Sequence, residues 1–461
     1  MSEQGLAKAQ QKMRDAGVAE AAIEVFSHYY GQLEVGASGL ILEETIEPML
    51  EVPMLADVEI TDEDAAAALD RTVLIKLNGG LATSMGLDKA KTLLEVRDGK
   101  SFLDLIVGQI LAAREKHGAR LPLILMNSFR TRDDSLAALA KYDSLPVEGL
   151  PLDFLQNQEP KLDAATLEPI EWPADPSLEW CPPGHGDLYT ALETSGLLDQ
   201  LLEAGFQYAS VSNGDNLGAG PDPRIAGWFA ASCAPYAAEV CRRTVNDRKG
   251  GHLAVRKSDG QLILRDTAQT APDEMDYFTD EHRHPFFHTN NLWFDLRALR
   301  DTLAERDSVL GLPLIKNEKT VDPADKTSPK VIQVESAMGA AIEVFEGATA
   351  ICVGRNRFLP VKTTNELLLV RSDCYELDDL GRLVQSVEST PLVDLDGDFY
   401  KVMRDFDARV PSAPSLARAS ALRVRGDVTF EPGVTVVGDV TIAADAPRTI
   451  AAGTVVDESW Q

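Results

Sequence analysis

Positive charge is scarce in this chain. Of 461 residues, 44 are Lys or Arg against 73 Asp or Glu, a formal net charge of −29. A surface of that sign repels anions, and non-specific nucleic-acid binding, which rests on basic surface, is excluded as an expectation. Phosphates can still be held, but only where a few lysines and backbone N–H groups are gathered locally. Paired cysteines are missing too: Cys181, Cys233, Cys241, Cys352 and Cys374 are scattered, with no C-x-x-C. Their odd number argues against a disulfide framework and their spacing suits no structural zinc site, so reduced, mostly buried thiols are expected. No apolar run approaches the ~20 residues that span a bilayer. Met1 to Gln11 lack the basic-then-apolar layout of a signal peptide. A cytoplasmic protein without membrane contact is the expectation.

What is there reads as an ordinary globular chain, 44% hydrophobic and 25% charged, with length for roughly two to three domains. Leu6, Met13, Val18, Ile23, Phe26 and Tyr30 predict helix over residues 4–33. An acidic, proline-punctuated connector follows, Glu43 to Asp64. From Thr72 the texture changes. Thr72-Val-Leu-Ile-Lys-Leu77 and Leu121 to Met126 read as buried strands, with helices predicted over Leu103 to Arg114 and Asp133 to Ala140. Further strand candidates are Ser210 to Ser212, Ala237 to Cys241 and Ala350 to Val353. This alternation predicts an α/β sheet with helices on both faces. After about residue 380 helical patterning fades. Arg425-Gly-Asp-Val428 and Val437-Gly-Asp-Val440 echo each other twelve residues apart, and Glu431-Pro-Gly-Val434 resembles Ala452-Gly-Thr-Val455. Such valine-rich repeats predict a small parallel β-helix or sheet. The expected organisation is 1–70 helical segment and connector, 71–375 α/β core, 376–461 β-helical tail.

Chemistry concentrates in a few stretches. Leu77-Asn-Gly-Gly-Leu-Ala-Thr-Ser-Met-Gly86 follows a predicted strand and precedes Lys91. Glycines there let backbone N–H groups approach an anion, and a lysine supplies the point charge a polyphosphate needs. The stretch is neither a Walker A sequence nor a dinucleotide fingerprint. Trp180-Cys-Pro-Pro-Gly-His-Gly-Asp187 sets two glycines around a histidine. Ser212-Asn-Gly-Asp-Asn216 closes a strand at its carboxyl end, where α/β sheets bind ligands. Phe287-His-Thr-Asn-Asn-Leu-Trp293 presents amides beside aromatics, and Arg357-Phe-Leu-Pro-Val-Lys-Thr-Thr364 sets a lysine in a stiff apolar segment. Taken singly, Asp215 reads as a turn cap, His185 as turn filler and Lys362 as a solvated lysine.

In this order the motifs resemble the eukaryotic-type UTP–glucose-1-phosphate uridylyltransferases, from about Val73 to Val370. The resemblance implies a Rossmann-like α/β nucleotidyltransferase core, a small N-terminal helical part and a C-terminal β-helix. It implies transfer of a uridylyl group from UTP to glucose 1-phosphate by in-line attack at the α-phosphorus, with Mg²⁺ as cofactor. Leu77, Asn78, Gly79 and Gly80 would contact UTP, with Gly80 also near the sugar phosphate, and Lys91 would hold the polyphosphate. Gln156 and Gly184 would meet the uracil, and His185 the glucosyl phosphate. Asn213, Gly214 and Asp215 would line the sugar phosphate, Asp215 also facing UTP and binding the metal. Asn290 and Glu335 would bind glucose hydroxyls, and Lys362 would be the main catalytic cation, with Lys91 beside it. The family usually has glycine where this chain has Ala82, which puts the phosphate loop's detail in question. The nearest alternative is a UDP-sugar or UDP-N-acetylhexosamine pyrophosphorylase of broader specificity. A non-catalytic UDP-sugar-binding regulator would be expected to lose Lys91 and Lys362, and a dehydrogenase would want G-x-G-x-x-G, which Gly79-Gly80 does not provide. The tail repeats offer a surface for a homo-oligomer.

Overall fold

The computed structural model describes residues 2–459 apart from 38, 245, 246, 248 and 249. The apolar run after Arg71 becomes the strand Thr72–Asn78, buried along its length save for half-buried Leu77. Alternation along it sends Val73 and Ile75 into one core and Leu74 into another. A strand that is apolar on both faces belongs inside a sheet covered on both sides, and this one lies at the heart of a ten-stranded sheet. Its parallel centre runs Tyr208–Asn213, Thr72–Asn78, Leu123–Asn127, Asp153–Leu155. Beyond Tyr208–Asn213 the sheet continues through the antiparallel strand Phe286–Asp295, then Tyr236–Arg242 and Thr349–Cys352. The sheet is therefore mixed, with a parallel centre.

One face packs on the helix Phe102–His117, which opens with a Ser101–Asp104 capping box and ends at left-handed Gly118. That core continues without a break into Leu416, Leu422, Val440 and Val456 of the C-terminal region. The other face carries Ile23, Phe26 and Tyr30 together with Leu188, Leu192 and Leu201. The N-terminal segment shares the sheet's core instead of owning one.

Two details differ from the sequence reading, one in the N-terminal helices and one in the C-terminal repeat. Residues 4–33 are not one helix but two, Ser2–Asp15 and Glu20–Glu34, because the chain turns at Gly17 with φ +75°. The twelve-residue echo is not the rung of the C-terminal parallel sheet. In that sheet Phe430 lies opposite Ile450 and Thr435 opposite Val455, a 20-residue rung, and the turn echo around Gly433 and Gly453 marks its period. Side chains facing the interior set the rung, whereas the two Gly-Asp-Val stretches sit at different places along their strands. Four cysteines are buried and all five are free, but Cys233 is exposed. Among the described residues no helix is long and apolar enough to cross a membrane.

Candidate active site

The parallel strands Thr72–Asn78 and Tyr208–Asn213 end side by side, with Leu77 opposite Asn213. Two turns leave from there and touch. The Gly214 N–H donates to the Leu77 carbonyl at 3.0 Å. A Cβ on Gly214 would stand 2.8 Å from that oxygen and 2.6 Å from Thr92 Cγ2, so glycine is what lets the turns meet. Lys91 closes the first turn through its N–H to the Gly80 carbonyl at 3.2 Å. Its ammonium pairs with Asp215 Oδ2 at 2.7 Å. On the other side the Val361 N–H donates to the Asp215 carbonyl at 3.2 Å, which brings the exposed Lys362 to the same place. The glycine turn, Asp215 and the Lys362 segment are thus joined by direct contacts. Ala82 has φ −85° and ψ 31°, outside the left-handed region that favours glycine.

Asn78 is buried and its side chain is fully occupied: Nδ2 donates to Asn127 Oδ1 at 2.7 Å and Ser135 Oγ at 2.8 Å, and Oδ1 accepts from the Thr92 hydroxyl. It anchors the turn and leaves its backbone for a ligand. Gln156 lies against Gly79, its Oε1 2.9 Å from where a Cβ there would stand. Beside Gln156 and Asn157 opens a cavity of about 610 Å³ that Phe129, Arg132 and Gln200 help to line. Its lining includes neither Asp215 nor Lys362.

A second group approaches from the histidine turn. Gly184 has φ +79°, and a Cβ there would meet the Ser336 carbonyl at 2.6 Å, so the turn lies flush on Glu335-Ser336. His185 Nδ1 accepts the Met338 N–H at 2.9 Å. In the neutral ring the proton therefore sits on Nε2, and the residue as a whole is exposed. Protein packed around the rest of the ring pushes its pKa down to about 4, so it is neutral at physiological pH. Glu335 Oε1 accepts from Asn317 Nδ2 at 3.0 Å. The strand Phe286–Asp295 is irregular between its pairings with Ala238 and Val240. There Asn290 takes φ +62° and its Nδ2 donates to Asn213 Oδ1 at 3.0 Å. A bulge of this kind re-aims a side chain beside a site. The Asn290 N–H also donates to His288 Nδ1 at 3.0 Å, and the His288 ring lies against Gly339, next to Met338. His288 thereby links Asn290 to the segment that holds His185.

Beneath the turns lie polar residues that motif reading did not single out. Lys76 is fully buried and donates to Ser212 Oγ at 2.7 Å and the Ala219 carbonyl at 2.8 Å. Burial, followed by the charge of Arg357, pushes its ammonium down to about 7. Glu239 is buried in an otherwise apolar strand and grips Arg357 by two hydrogen bonds of 2.7 and 3.0 Å. The signal available in the sequence was a charged residue inside an apolar run, Ile-Lys-Leu and Ala-Glu-Val. Two backbone-rich turns, two lysines, a carboxylate and a fixed neutral histidine suit the binding of two phosphate compounds and the stabilisation of charge between them.

The comparisons with known proteins agree with this chemistry. A family model described as UTP–glucose-1-phosphate uridylyltransferase matches residues 23–437. The chain is 42% identical over 391 residues to the UTP–glucose-1-phosphate uridylyltransferase of Hordeum vulgare, covering 84% of this chain and 80% of that one. It is 38% identical over 377 residues to the enzyme of that name from Saccharomyces cerevisiae, covering 81% and 74%. Among solved structures, a mutant UDP-glucose pyrophosphorylase from Leishmania major in complex with UDP-glucose superposes with a TM-score of 0.92 at 42% identity, over 99% of both chains. One from Trypanosoma brucei, described as a UDP-glucose phosphorylase, gives 0.90 at 40% identity, again over 99% of each. With the matched segment running from the second N-terminal helix through every motif of the site, this chain belongs to the UTP–glucose-1-phosphate uridylyltransferase family.

Proposed function

We propose that this protein transfers the uridylyl group of UTP to glucose 1-phosphate, giving UDP-glucose and pyrophosphate, with Lys362 as its principal catalytic cation. The observation that supports the reading best is the contact of three segments at one point: the Gly80–Lys91 turn, Asp215, and Val361 beside Lys362. The attacking sugar-phosphate oxygen is already an anion and needs no strong base. The difficulty is bringing two anions together while charge accumulates on the α-phosphate and the leaving pyrophosphate. Positioning and fixed positive groups meet that difficulty. Backbone N–H groups of the Leu77–Gly80 turn and Lys91 would hold the UTP phosphates, and Lys362 would face the reacting phosphate. Gln156 and Gly184 would hold the uracil. Asn213 and Gly214 would line the sugar phosphate together with the Nε2–H of His185, and Asn290 and Glu335 would take the glucose hydroxyls.

Asp215 fits a Mg²⁺ ion, which binds through one or two carboxylates plus substrate phosphates. Its carboxylate is partly exposed and pairs with Lys91 through Oδ2. Among the described residues no cluster of three or more ligand-type side chains could hold a metal by itself, so phosphates would complete the site. The ion would neutralise charge on the phosphates. Pyrophosphate release measured with UTP, Mg²⁺ and a panel of sugar 1-phosphates tests the reading; turnover of N-acetylhexosamine 1-phosphate at the rate of glucose 1-phosphate would sink the specificity.

The free thiols favour a reducing, cytoplasmic setting. Self-association through the C-terminal sheet is favoured by its last long strand, Thr435–Ile450, whose outer side pairs with Val455–Val456 only at Thr435 and Val436. Sedimentation of the full chain as a monomer at micromolar concentration would remove that idea.

A further inference from the structure

We propose that Glu239 and Arg357 are positioning residues that fix the Asp215 turn and the Lys362 segment at the separation the reaction needs. The inference rests on Lys362 acting as described above. Neither residue faces the site: Glu239 is 0% exposed and the Arg357 side chain 7%. What they touch is the backbone that carries it. Arg357 Nη1 donates to the Gly220 carbonyl at 2.6 Å, just beyond the Asn213–Asn216 turn. The Arg357 carbonyl accepts from Asn216 Nδ2 at 3.2 Å and from Asn291 Nδ2 at 3.3 Å. Asn216 Oδ1 in return accepts the Leu359 N–H at 2.8 Å, and Asn216 pairs with Pro360 in a short bridge. The next link is the Val361 N–H to the Asp215 carbonyl. Glu239 closes the network from below, accepting the Trp293 indole N–H at 2.9 Å and Asn291 Nδ2 at 3.1 Å. Asn291 is the neighbour of Asn290, so the sugar side is tied to the same carboxylate. Lys76 holds Ser212 and Ala219, the two ends of the Asp215 turn, from the adjacent strand.

Energetics argue for a geometric role. A buried ion pair is a poor stabiliser, since desolvation offsets most of its attraction, and apolar replacements often do as well. Burial would raise the Glu239 pKa, but the charge and hydrogen bonds of Arg357 outweigh it and keep the carboxylate ionised. The pair delivers fixed directions: a planar guanidinium forked on one carboxylate, with its remaining donor and its own carbonyl both meeting the 216–220 stretch, and the carbonyl also meeting Asn291 of the neighbouring strand. Displacing Lys362 by a fraction of an ångström would weaken its hold on the reacting phosphate without changing how either substrate docks.

The test is steady-state kinetics on the full chain, with near-UV circular dichroism to select folded protein. Glu239→Gln, which keeps the shape and loses the charge, should lower kcat by about 10- to 100-fold while KM for UTP and for glucose 1-phosphate moves by less than about threefold. Arg357→Lys, which keeps the charge and loses the fork, should show the same pattern to a smaller degree, and it serves if the first variant does not fold. In a Lys362→Ala background, Glu239→Gln should change kcat by less than about twofold, because the group it positions is gone. Wild-type kcat in folded Glu239→Gln or Arg357→Lys, or an undiminished effect of Glu239→Gln in the Lys362→Ala background, overturns the proposal. Wild-type turnover in Lys362→Ala alone removes the reading beneath it, which the cycle distinguishes from failure of the pair.

Discussion

Two buried ionic clusters lie in this molecule, and their wiring differs. Under the active site, Glu239 and Arg357 spread their hydrogen bonds over Trp293, Asn291 and the backbone of the 218–220 loop. At the sheet's other edge, Glu43 binds Arg265 at 2.5 Å, Arg283, and His284 at 3.2 Å, while Arg265 also binds Glu274 at 2.5 Å. His284 stacks on His252 with ring centroids 3.7 Å apart. There Glu43, Glu274, Arg265 and Arg283 end on one another, while Arg243 nearby donates to the Phe278 and Gly250 carbonyls. Arg265 Nε, both His252 ring nitrogens, His284 Nδ1 and Arg243 Nε have no hydrogen-bond partner among the described residues. Burial, then the neighbouring His284, pushes His252 well below the usual histidine range. This cluster fastens the connector, whose Ile46–Pro48 strand pairs beside it with His252–Arg256. The same residue types thus do two jobs. Donors aimed at loop carbonyls transmit geometry, and donors aimed at carboxylates hold a segment in place.

The contrast can be broken most severely at the remote cluster. Glu43→Gln leaves the fully buried Arg265 with Glu274 as its remaining counter-charge and should destabilise the protein by about 3 kcal/mol in denaturant unfolding. The kcat of the protein that remains folded should not change; a large fall in kcat would erase the distinction. Lys362→Ala should do the opposite, lowering kcat by about 10²–10³ with the unfolding midpoint unmoved. Unchanged turnover would exclude Lys362 from catalysis. A smaller effect is expected for His185→Ala, which removes one donor to a charged phosphate. Its KM for glucose 1-phosphate should rise about tenfold, more than that for UTP. Because the ring is neutral above about pH 4, the ratio of variant to wild-type KM should be the same at pH 5.5 and 8. An inflection in that ratio near the ordinary histidine pKa would show that the imidazolium does the binding. Smallest of all is Ala82→Gly. The φ of −85° is outside the left-handed region, so glycine brings no relief there; it should loosen the unfolded chain and give up a buried methyl, costing about 1 kcal/mol and leaving kcat intact. A gain in activity would mean that the loop needs a left-handed backbone there during turnover.

Legibility followed the physical range of each signal. The strand Thr72–Asn78 was readable because a run buried on both faces leaves an unbroken apolar record. The N-terminal break was not, since the apolar period carries on across Gly17 and the glycine's positive φ leaves no trace in hydropathy. The C-terminal rung was half readable: valine-rich strands and turn glycines announced parallel stacking, but its period is set by which side chains face inward. At the site, Asp215, Lys91 and Lys362 stood out because charges in glycine- or proline-bounded segments are unusual. Asn78 stood out with them, and its side chain turned inward to Asn127, Ser135 and Thr92. Glu239 went unread because its partner lies 118 positions away, and one charge in an apolar strand does not say what meets it.

The sequence by itself determined the family, the sheet's central strands and the glycine- and lysine-bearing stretches that make up the candidate site. Each of these is written in local order, in motif wording or in the spacing of apolar residues. Only the tertiary structure decided which of those stretches touch, how Asn290 is turned toward Asn213, and that Arg357 with Glu239 joins the two halves of the site. Such facts depend on hydrogen bonds and close approaches between residues far apart in the chain, and one sequence carries no record of distance in space.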